Sequence, residues 1–401
     1  MSQFLKIESP SQTSSREAPR FALWQLGFRP FYLLGAAFAA LSVPLWLLQY
    51  SGGIVLALGW APQTWHSHEM VFGFAVAIVA GFLFTAVRNW TGLPTPTGVR
   101  LAALCLLWLG ARVAYLLGAP EVALAVELLF LGLVAHALLR VLVRARNRRN
   151  YFVGLLFVVL AAVDLVFHAA AAGALGAFSQ LAAGRLGLYL IVTLTIVMAG
   201  RVVPMFTANS VRGVRQFRDA RLDRAALAAT VLAFALDLAA VGGAILAATA
   251  LLAGVLHAIR LVGWGALATW RNPLLWVLHL AYAWLPAGLA LMAAAAMGLV
   301  PPSLASHAFG LGVVGGLVIG MITRTALGHT GRMLVAGRSE AAMYLLVHFA
   351  VLLRVAGPLV APGQYLAMLV AASAAWSAGF ALYLVVYLPR LVSARVDGKE
   401  G

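Results

Sequence analysis

The sequence predicts an all-α polytopic membrane protein of about twelve transmembrane helices, with both termini in the cytoplasm. Its 401 residues are 63% hydrophobic and 10% charged, with a mean hydropathy of +0.96, whereas a soluble domain carries roughly 25% charged residues. Apolar segments of about 20 residues, the length that crosses the hydrocarbon core, recur along the chain. The basic residues concentrate in alternate connections between these segments, which is the positive-inside pattern.

Twelve segments are long and apolar enough to be predicted as spans, with an error of a few residues at each end. They are 28–48, 68–87, 100–118, 121–140, 151–172, 181–200, 225–246, 248–268, 273–299, 303–323, 340–360 and 364–388. The junctions near 119–121 and 247 are predicted to be tight helical hairpins. The 39 glycines predict close packing between helices, and no clear inverted repeat is visible.

The spans form a single predicted domain over residues 21–390. Residues 1–20 are polar and rich in Ser, without the apolar core of a signal peptide, and are predicted to be a disordered cytoplasmic tail. Residues 391–401 are predicted to be a second cytoplasmic tail. The first span then acts as an uncleaved anchor in the bacterial inner membrane.

The net charge of +16 follows from topology and does not indicate nucleic-acid binding. Every second connection between consecutive spans contains no Lys or Arg. These six connections lie around 49–65, 119–120, 173–180, 247, 300–306 and 361–363. The other connections and the tails contain most of the basic residues, so they are predicted to face the cytoplasm. The single cysteine, Cys105, excludes a disulfide framework and a Cys-rich metal site.

Nine histidines lie in or beside the predicted spans, where titratable groups are costly and indicate function. Four lie near the periplasmic ends of spans: His66, His68, His168 and His307. Four lie at mid-depth or in the inner half: His136, His257, His279 and His348. Only His329 lies in a cytoplasmic loop. Neutral imidazole commonly ligates haem iron and copper, so the two levels predict one or two intramembrane metal or haem sites. The alternative is that each buried His donates a hydrogen bond to a neighbouring helix.

The segment Trp65-His66-Ser67-His68-Glu69-Met70 is the densest cluster of possible ligands. Positions i and i+2 of a regular helix point to nearly opposite faces, so both histidines serve one site only at a junction between loop and helix. His66 shares a face with Glu69 or Met70. The alternative is structural, with Trp65 as an interfacial anchor and Glu69 as an acid in the first helical turn.

Other polar groups in the spans allow either a structural or a functional interpretation. Trp276, His279 and Tyr282 share a helix face, which suits the wall of a haem pocket or an ordinary aromatic stripe. The buried charges predict Arg–acid pairing or arginines that bind haem propionates; they are Glu127, Asp164, Asp237, Arg112, Arg185 and Arg354.

Two segments at the cytoplasmic side combine basic residues with helix breakers. The first contains Arg201 and Pro204, and Pro204 is predicted to kink or end the sixth span. The second contains Arg324 and His329 between glycines, which suggests a specific loop geometry. Both segments are also explained as basic juxtamembrane loops.

Six sequence blocks, in order and spacing, resemble the NnrS family over residues 21 to 390. The blocks are Phe28-Arg29-Pro30-Phe31, Trp65 to Gly73, Gly81 to Gly92, Arg201-x-x-Pro204-x-Phe206-Thr207-x-Asn209, Pro273-Leu-Leu-Trp276-x-Leu-His279, and Leu327 to Arg332. The resemblance implies a bacterial membrane protein that contains non-covalent b-type haem and copper. It also implies a role in nitric oxide metabolism and in resistance to nitrosative stress, often in bacteria that denitrify. It implies candidate cofactor-binding residues His66, His68, His257, His279, His307, Arg201 and Arg324. The implied candidate metal ligands are His66, His68, Glu69, His279, His307 and His329.

Two other functions fit the same spans. One is a transporter of a metal ion or small anion, in which the histidines would line a permeation path. The other is a respiratory nitric oxide reductase of the haem–copper type, although paired histidines on one helix and a His-Pro-Glu motif are absent from the sequence. Catalytic residues and an electron donor are not indicated. From depth alone, alanine at the outer or mid-depth histidines is expected to remove metal, whereas His329→Ala is expected to retain both metals.

Overall fold

The computed structural model describes residues 21–56, 58–175 and 179–398. Within them, 12 long helices form one bundle; they are α1 Phe28–Tyr50, α2 Pro62–Thr91, α3 Gly98–Leu116, α4 Pro120–Arg144, α5 Tyr151–Ala171, α6 Gln180–Ser210, α7 Ala220–Leu238, α8 Gly243–Gly263, α9 Pro273–Ala296, α10 Pro302–His329, α11 Arg338–Val355 and α12 Tyr365–Val392. The all-α polytopic prediction is confirmed. The predicted tail 1–20 and the last residues of the tail 391–401 lie outside the described residues.

Eleven of these helices are long and apolar enough to cross a membrane. The remaining one, α7, has the length of a span, but Arg221, Asp223, Arg224 and Asp237 lower its hydropathy. Its partners account for part of this charge, because Asp223 pairs with Arg260 of α8 and Asp237 pairs with Arg185 of α6. The seventh predicted span is therefore a helix in which the two acidic groups pair with neighbouring helices, while Arg221 and Arg224 near its start are exposed.

Two predicted boundaries on the sequence were wrong. The hairpin placed at 247 lies instead between Leu238 and Gly243, where Ala240 and Gly243 have positive φ values of 55° and 66° and reverse the chain. The Gly242-Gly243 pair at this position is a turn signal that the boundary predicted at 247 did not use. Pro204, predicted to kink or end the sixth span, does not end it, because α6 continues to Ser210. The side-chain amide of Gln216 donates to the carbonyl oxygens of Pro204 and Trp264, which links the last part of α6 to the residue after α8.

Hydrogen bonds connect the start of α1 to the end of α12 at one end of the bundle. Arg29 is completely buried and donates from Nη1 to the carbonyls of Leu391 and Ser393, both at 2.7 Å. These carbonyls belong to the last turn of α12 and the residue after it, where a helix leaves acceptors without intrahelical partners. A bridge between Phe21 and Ser393 extends the contact.

Helices α2 and α10 are related by an internal repeat that was not recognised in the sequence. Each begins beside a proline, and each changes to π-helical geometry directly after a histidine, over Glu69–Ala75 and Ala308–Gly315. The same residues recur at the same spacing in the two helices and directly after them, namely Ser67-His68, Gly73, Gly81 and Thr91-Gly92 at α2, and Ser306-His307, Gly312, Gly320 and Thr330-Gly331 at α10.

The repeat includes the preceding helix of each pair. A Cβ added at Gly81 would lie 2.7 Å from Phe31 of α1, and one added at Gly320 would lie 2.8 Å from Leu278 of α9. The glycines therefore let α2 pack closely on α1, and α10 on α9, in the same manner. Because both π-helical segments stand near the helix starts, the repeat brings two irregular segments to one end of the bundle, and that end contains the candidate site.

Candidate metal and cofactor sites

His66 and His68 point to different sides of α2, because the helix is regular until His68. His66 lines a cavity together with Met70. His68 is buried and contacts Glu69, whose position begins the π-helical segment. The two histidines thus belong to two separate sites, which we call the cavity site and the buried acidic site.

The cavity site is an apolar space of about 460 Å³ near the starts of α2 and α10. Six helices contribute to its walls, and the apolar residues among them include Val43, Trp46, Met70, Phe74, Leu188, Leu311, Val314, Leu369 and Trp376. A space of this size, with a few polar groups in an apolar wall, is typical of sites for cofactors and small molecules.

Two imidazole rings meet in this wall, one from each repeated helix. The ring centres of His66 and His307 are 6.4 Å apart and their planes differ by 14°. The ring of Trp46 stacks on His66 with a centre separation of 4.4 Å, which holds the orientation of the imidazole. In the internal repeat His307 corresponds to His68, so the partner of His307 in this wall, His66, lies two residues before the repeated position.

The hydrogen bonds of His307 determine which ring nitrogen is free to bind a ligand. Its Nδ1 lies 2.7 Å from the carbonyl oxygen of Ser303, which can only accept a hydrogen bond. Nδ1 therefore carries the proton, and Nε2 keeps its lone pair. In His66, the buried Nδ1 has no hydrogen-bond partner among the described residues.

Arg354 of α11 and Arg185 of α6 supply positive charge to the cavity wall. Arg185 is paired with Asp237 at 3.3 Å. Arg354 is buried, and no carboxylate lies within ion-pairing distance of it in the described part of the chain. Its Nε also has no hydrogen-bond partner there. A buried guanidinium without an anion indicates a site for an acidic group of a ligand.

The buried acidic site surrounds His68. Its ring nitrogens lie 3.0 Å from Glu69 Oε1 and 3.0 Å from Asp164 Oδ1. Arg112 of α3 pairs with Glu69 at 2.9 Å and with Glu127 of α4 at 2.5 Å. The predicted pairing of buried arginine with acidic residues is thus present. The cluster contains three carboxylates and one guanidinium, and the guanidinium pairs with two of the three.

His168 and Tyr115 complete this cluster. His168 Nδ1 lies 3.0 Å from the backbone carbonyl oxygen of Asp164, one turn earlier in α5. The hydroxyl of Tyr115 lies 3.2 Å from His168 Nε2, 3.4 Å from His68 Nε2 and 3.3 Å from Glu127 Oε2. The cluster is therefore built from side chains of four helices, α2, α3, α4 and α5.

The remaining candidate histidines are held in hydrogen bonds between helices. His257 uses both ring nitrogens, since Nε2 contacts Thr230 at 2.9 Å and Nδ1 contacts the hydroxyl of Tyr282 at 2.7 Å. His279 contacts Thr207 through Nε2 at 2.9 Å, while its buried Nδ1 has no partner in the described residues. Hence His279 and Tyr282, which share a face of α9, contact different neighbouring helices.

Arg201, Arg324 and His329 lie toward the opposite end of the bundle. Arg201 donates to Asn150 at 2.9 Å, and the guanidinium of Arg324 lies 4.1 Å from the ring centre of Phe206. From the rise of a helix, Arg324 is about 25 Å along α10 from His307, so these groups do not meet. His329 is the last residue of α10 and not a loop residue, and its ring packs on Phe28.

The sequence model of the NnrS protein family matches residues 22–395, which is nearly the whole chain. The chain belongs to the NnrS family. No curated protein matches it.

In this NnrS protein, the structure divides the candidates His66, His68, Glu69 and His307 between the two sites. His168 was predicted only as one member of the outer level of histidines, and Arg354 and Asp164 only as buried charges that pair with each other or with haem propionates. The sequence did not indicate which of the two sites each of these residues completes. The signal that relates His307 to the α2 cluster is the Ser-His pair that occurs in both repeated helices.

Proposed function

We propose that this NnrS protein is a haem- and copper-containing protein of the bacterial inner membrane that acts in the response to nitric oxide and in resistance to nitrosative stress. The observation that carries the proposal is the meeting of His66 and His307, with nearly parallel rings, in an apolar cavity between membrane-spanning helices. Family membership supports the assignment to nitric oxide.

The separation of the two rings suits a shared metal. Imidazole nitrogens bind transition metals at about 2.0–2.1 Å, so two rings on opposite sides of one ion have centres roughly 6 Å apart. The rings of His66 and His307 are separated by 6.4 Å. The separation of the ring centres is therefore compatible with both imidazoles binding one ion.

The cavity walls suit haem and copper in different respects. For haem, the apolar walls would cover the macrocycle, and Arg354 would bind a propionate. For copper, the two imidazoles and the thioether of Met70 form a donor set that this metal prefers. Either metal, when bound, supplies the redox-active centre with which nitric oxide reacts.

The protein's own residues control access and orientation. Nitric oxide is small and apolar, so it dissolves in the bilayer and reaches an apolar cavity among transmembrane helices without a polar channel. Ser303 holds the proton of His307 on Nδ1, which directs Nε2 to a ligand, and Trp46 restricts rotation of His66.

The proposal is tested by measuring haem and copper in the purified full-length protein. The wild-type protein is expected to show a Soret band and to contain copper, whereas His66→Ala and His307→Ala are each expected to lose roughly tenfold or more of the affinity for at least one of these groups. His136→Ala is the matched control, because His136 is a transmembrane histidine on the exposed face of α4.

Two results would contradict the proposal. One is a folded wild-type protein, isolated from cells supplied with haem and copper, that contains neither. The other is wild-type content of both groups in His66→Ala and in His307→Ala. The link to nitric oxide is checked separately, because cells that lack the protein should survive a nitric oxide donor poorly and His136→Ala should restore survival while His307→Ala should not.

A further inference from the structure

We infer that His68, Asp164 and His168 form a second metal site, which binds one divalent first-row transition-metal ion and is separate from the cavity site. The inference goes beyond the proposed function and stands whether or not the cavity holds haem. It depends on four properties of the buried acidic site: the separations of the donor atoms, the direction of their lone pairs, the charge of the cluster and its accessibility.

The donor atoms already have the spacing of metal ligands. One ligand atom from each of His68, Asp164 and His168 lies within 4.8 Å of the other two. His68 Nε2 and Asp164 Oδ1 are 3.0 Å apart. In a tetrahedral site with bonds of about 2.0–2.1 Å, neighbouring ligand atoms are roughly 3.3 Å apart, so small side-chain movements complete the site.

Both imidazoles can direct Nε2 toward the ion. His168 Nδ1 faces the carbonyl oxygen of Asp164, an obligate acceptor, so Nδ1 donates and Nε2 keeps its lone pair. His68 Nδ1 faces Glu69 Oε1 at 3.0 Å, which is the carboxylate–histidine arrangement that orients metal-binding histidines. Both Nε2 atoms lie within 3.4 Å of the Tyr115 hydroxyl and hence border the same space.

The charge of the cluster favours a divalent cation. Glu69, Glu127 and Asp164 are each at most 1% exposed, and Arg112 is the guanidinium that pairs with two of them. With neutral histidines these groups carry a net charge of −2, which is costly to bury. A divalent ion removes this charge. Buried Asp164 Oδ2 and Glu69 Oε2, which have no hydrogen-bond partner in the described residues, are further acceptors that a cation would satisfy.

The donor set also limits the kind of ion. Two imidazoles and one carboxylate suit Cu²⁺, Zn²⁺ or Fe²⁺, whereas Mg²⁺ and Ca²⁺ prefer sites made only of oxygen atoms. The phenol of Tyr115 lies beside the donors and can serve as an additional ligand or hydrogen-bond donor. The competing arrangement is a metal-free cluster in which both histidines are protonated, and this would balance the three carboxylates equally well.

The side of the cluster nearest the surface is marked by His168 and Trp60. The side chain of His168 is 12% exposed, whereas those of His68 and Asp164 are completely buried. Trp60, in the connection between α1 and α2, covers the cluster with its ring centre 5.0 Å from that of His168 and 5.3 Å from that of His68. An ion would therefore approach from the side of the partly exposed His168 and Trp60.

The experiment uses the full-length His66→Ala/His307→Ala protein, so that ions bound at the cavity site do not contribute. The purified protein is stripped with a chelator and titrated with CuCl₂, and binding is followed by electron paramagnetic resonance, with ZnCl₂ as competitor. The expected result is one Cu²⁺ per chain with hyperfine coupling to two nitrogens. Adding His168→Gln should weaken binding at least tenfold and leave coupling to one nitrogen.

Controls separate loss of the site from loss of the fold. Asp164→Asn keeps the shape of the side chain and should weaken binding, whereas His136→Ala should not change it, and gel filtration confirms that each variant is folded. A folded parent protein that binds no Cu²⁺ would overturn the inference in favour of the protonated cluster, as would unchanged Cu²⁺ affinity in folded His168→Gln. The haem spectrum of the wild-type protein, measured separately, reports on the proposed function alone.

Discussion

At the scale of single residues, the two ring nitrogens of each histidine distinguish structural from candidate ligand positions. His257 donates from Nε2 to Thr230 and accepts at Nδ1 from Tyr282, so neither nitrogen remains for an ion. His307 and His168 each use Nδ1 on a backbone carbonyl four residues earlier, which leaves Nε2 with a lone pair. The hydrogen-bond partners of the ring nitrogens, and not the burial of the side chain, therefore distinguish a structural histidine from a candidate ligand.

Arg112 is predicted to contribute strongly to stability. Arg112→Met should lower the free energy of unfolding by about 3–5 kcal/mol, because Glu69 and Glu127 would then be buried without their cation. The measurement is thermal or denaturant unfolding of the purified protein in detergent.

The matched control is Arg354→Met. Arg354 is also buried, but it has no acidic partner in the described part of the chain, so its replacement should leave stability nearly unchanged or increase it. Equal losses in the two variants would show that burial of the side chain, and not ion pairing, determines the effect.

At the scale of helices, α2 and α10 owe their geometry to the π-helical segments that follow His68 and His307. A π-helical turn changes the direction of the side chains relative to an uninterrupted α-helix, and such turns are common at functional sites. In α2 it begins at Glu69, so His68 and Glu69 reach the buried acidic site while Met70 returns to the cavity.

Close packing of the repeated helix pairs can be tested at Gly81. Gly81→Val should destabilise the protein by roughly 1–3 kcal/mol, because its Cβ would lie 2.7 Å from the Phe31 Cβ of α1. Gly132→Val is the control, since no atom lies within 4 Å of a Cβ added there. Both changes place the same residue within a transmembrane helix, so similar unfolding midpoints for the two variants would contradict the packing argument.

At the scale of the whole molecule, the alternation of basic connections predicts the orientation in the membrane. Cysteine scanning suits this protein, because its single cysteine, Cys105, is only 4% exposed. Val55, between α1 and α2, is 92% exposed, and Met333, between α10 and α11, is 80% exposed. Substitution of either residue changes no charge and should leave the topology intact.

A membrane-impermeant thiol reagent is expected to label Val55→Cys in intact cells from which the outer membrane has been removed. Met333→Cys should be labelled only after the inner membrane is made permeable, because its connection contains Arg332 and Arg338 and is predicted to be cytoplasmic. The opposite labelling pattern would show that both predicted sites open to the cytoplasm.

The sequence alone determined the helical membrane class and most of the spans. The reason is that the hydropathy of a span is the sum over about 20 consecutive residues and does not depend on contacts with distant parts of the chain. Two boundaries are exceptions. The α7–α8 turn contains the Gly242-Gly243 pair, a local signal that the predicted boundary at 247 missed by a few residues. Helix α6 continues beyond Pro204 to Ser210, although proline disfavours a helix interior.

The composition of the two sites was decided only by the tertiary structure. The sequence indicated His66, His68 and Glu69 as one cluster and His307 as a separate histidine. Packing of α10 beside α2 unites His307 with His66, while α3, α4 and α5 bring Arg112, Glu127, Asp164 and His168 to His68. The physical reason is that donor atoms meet through contacts between helices far apart in the chain, and single-helix periodicity contains no information on which faces will pack together.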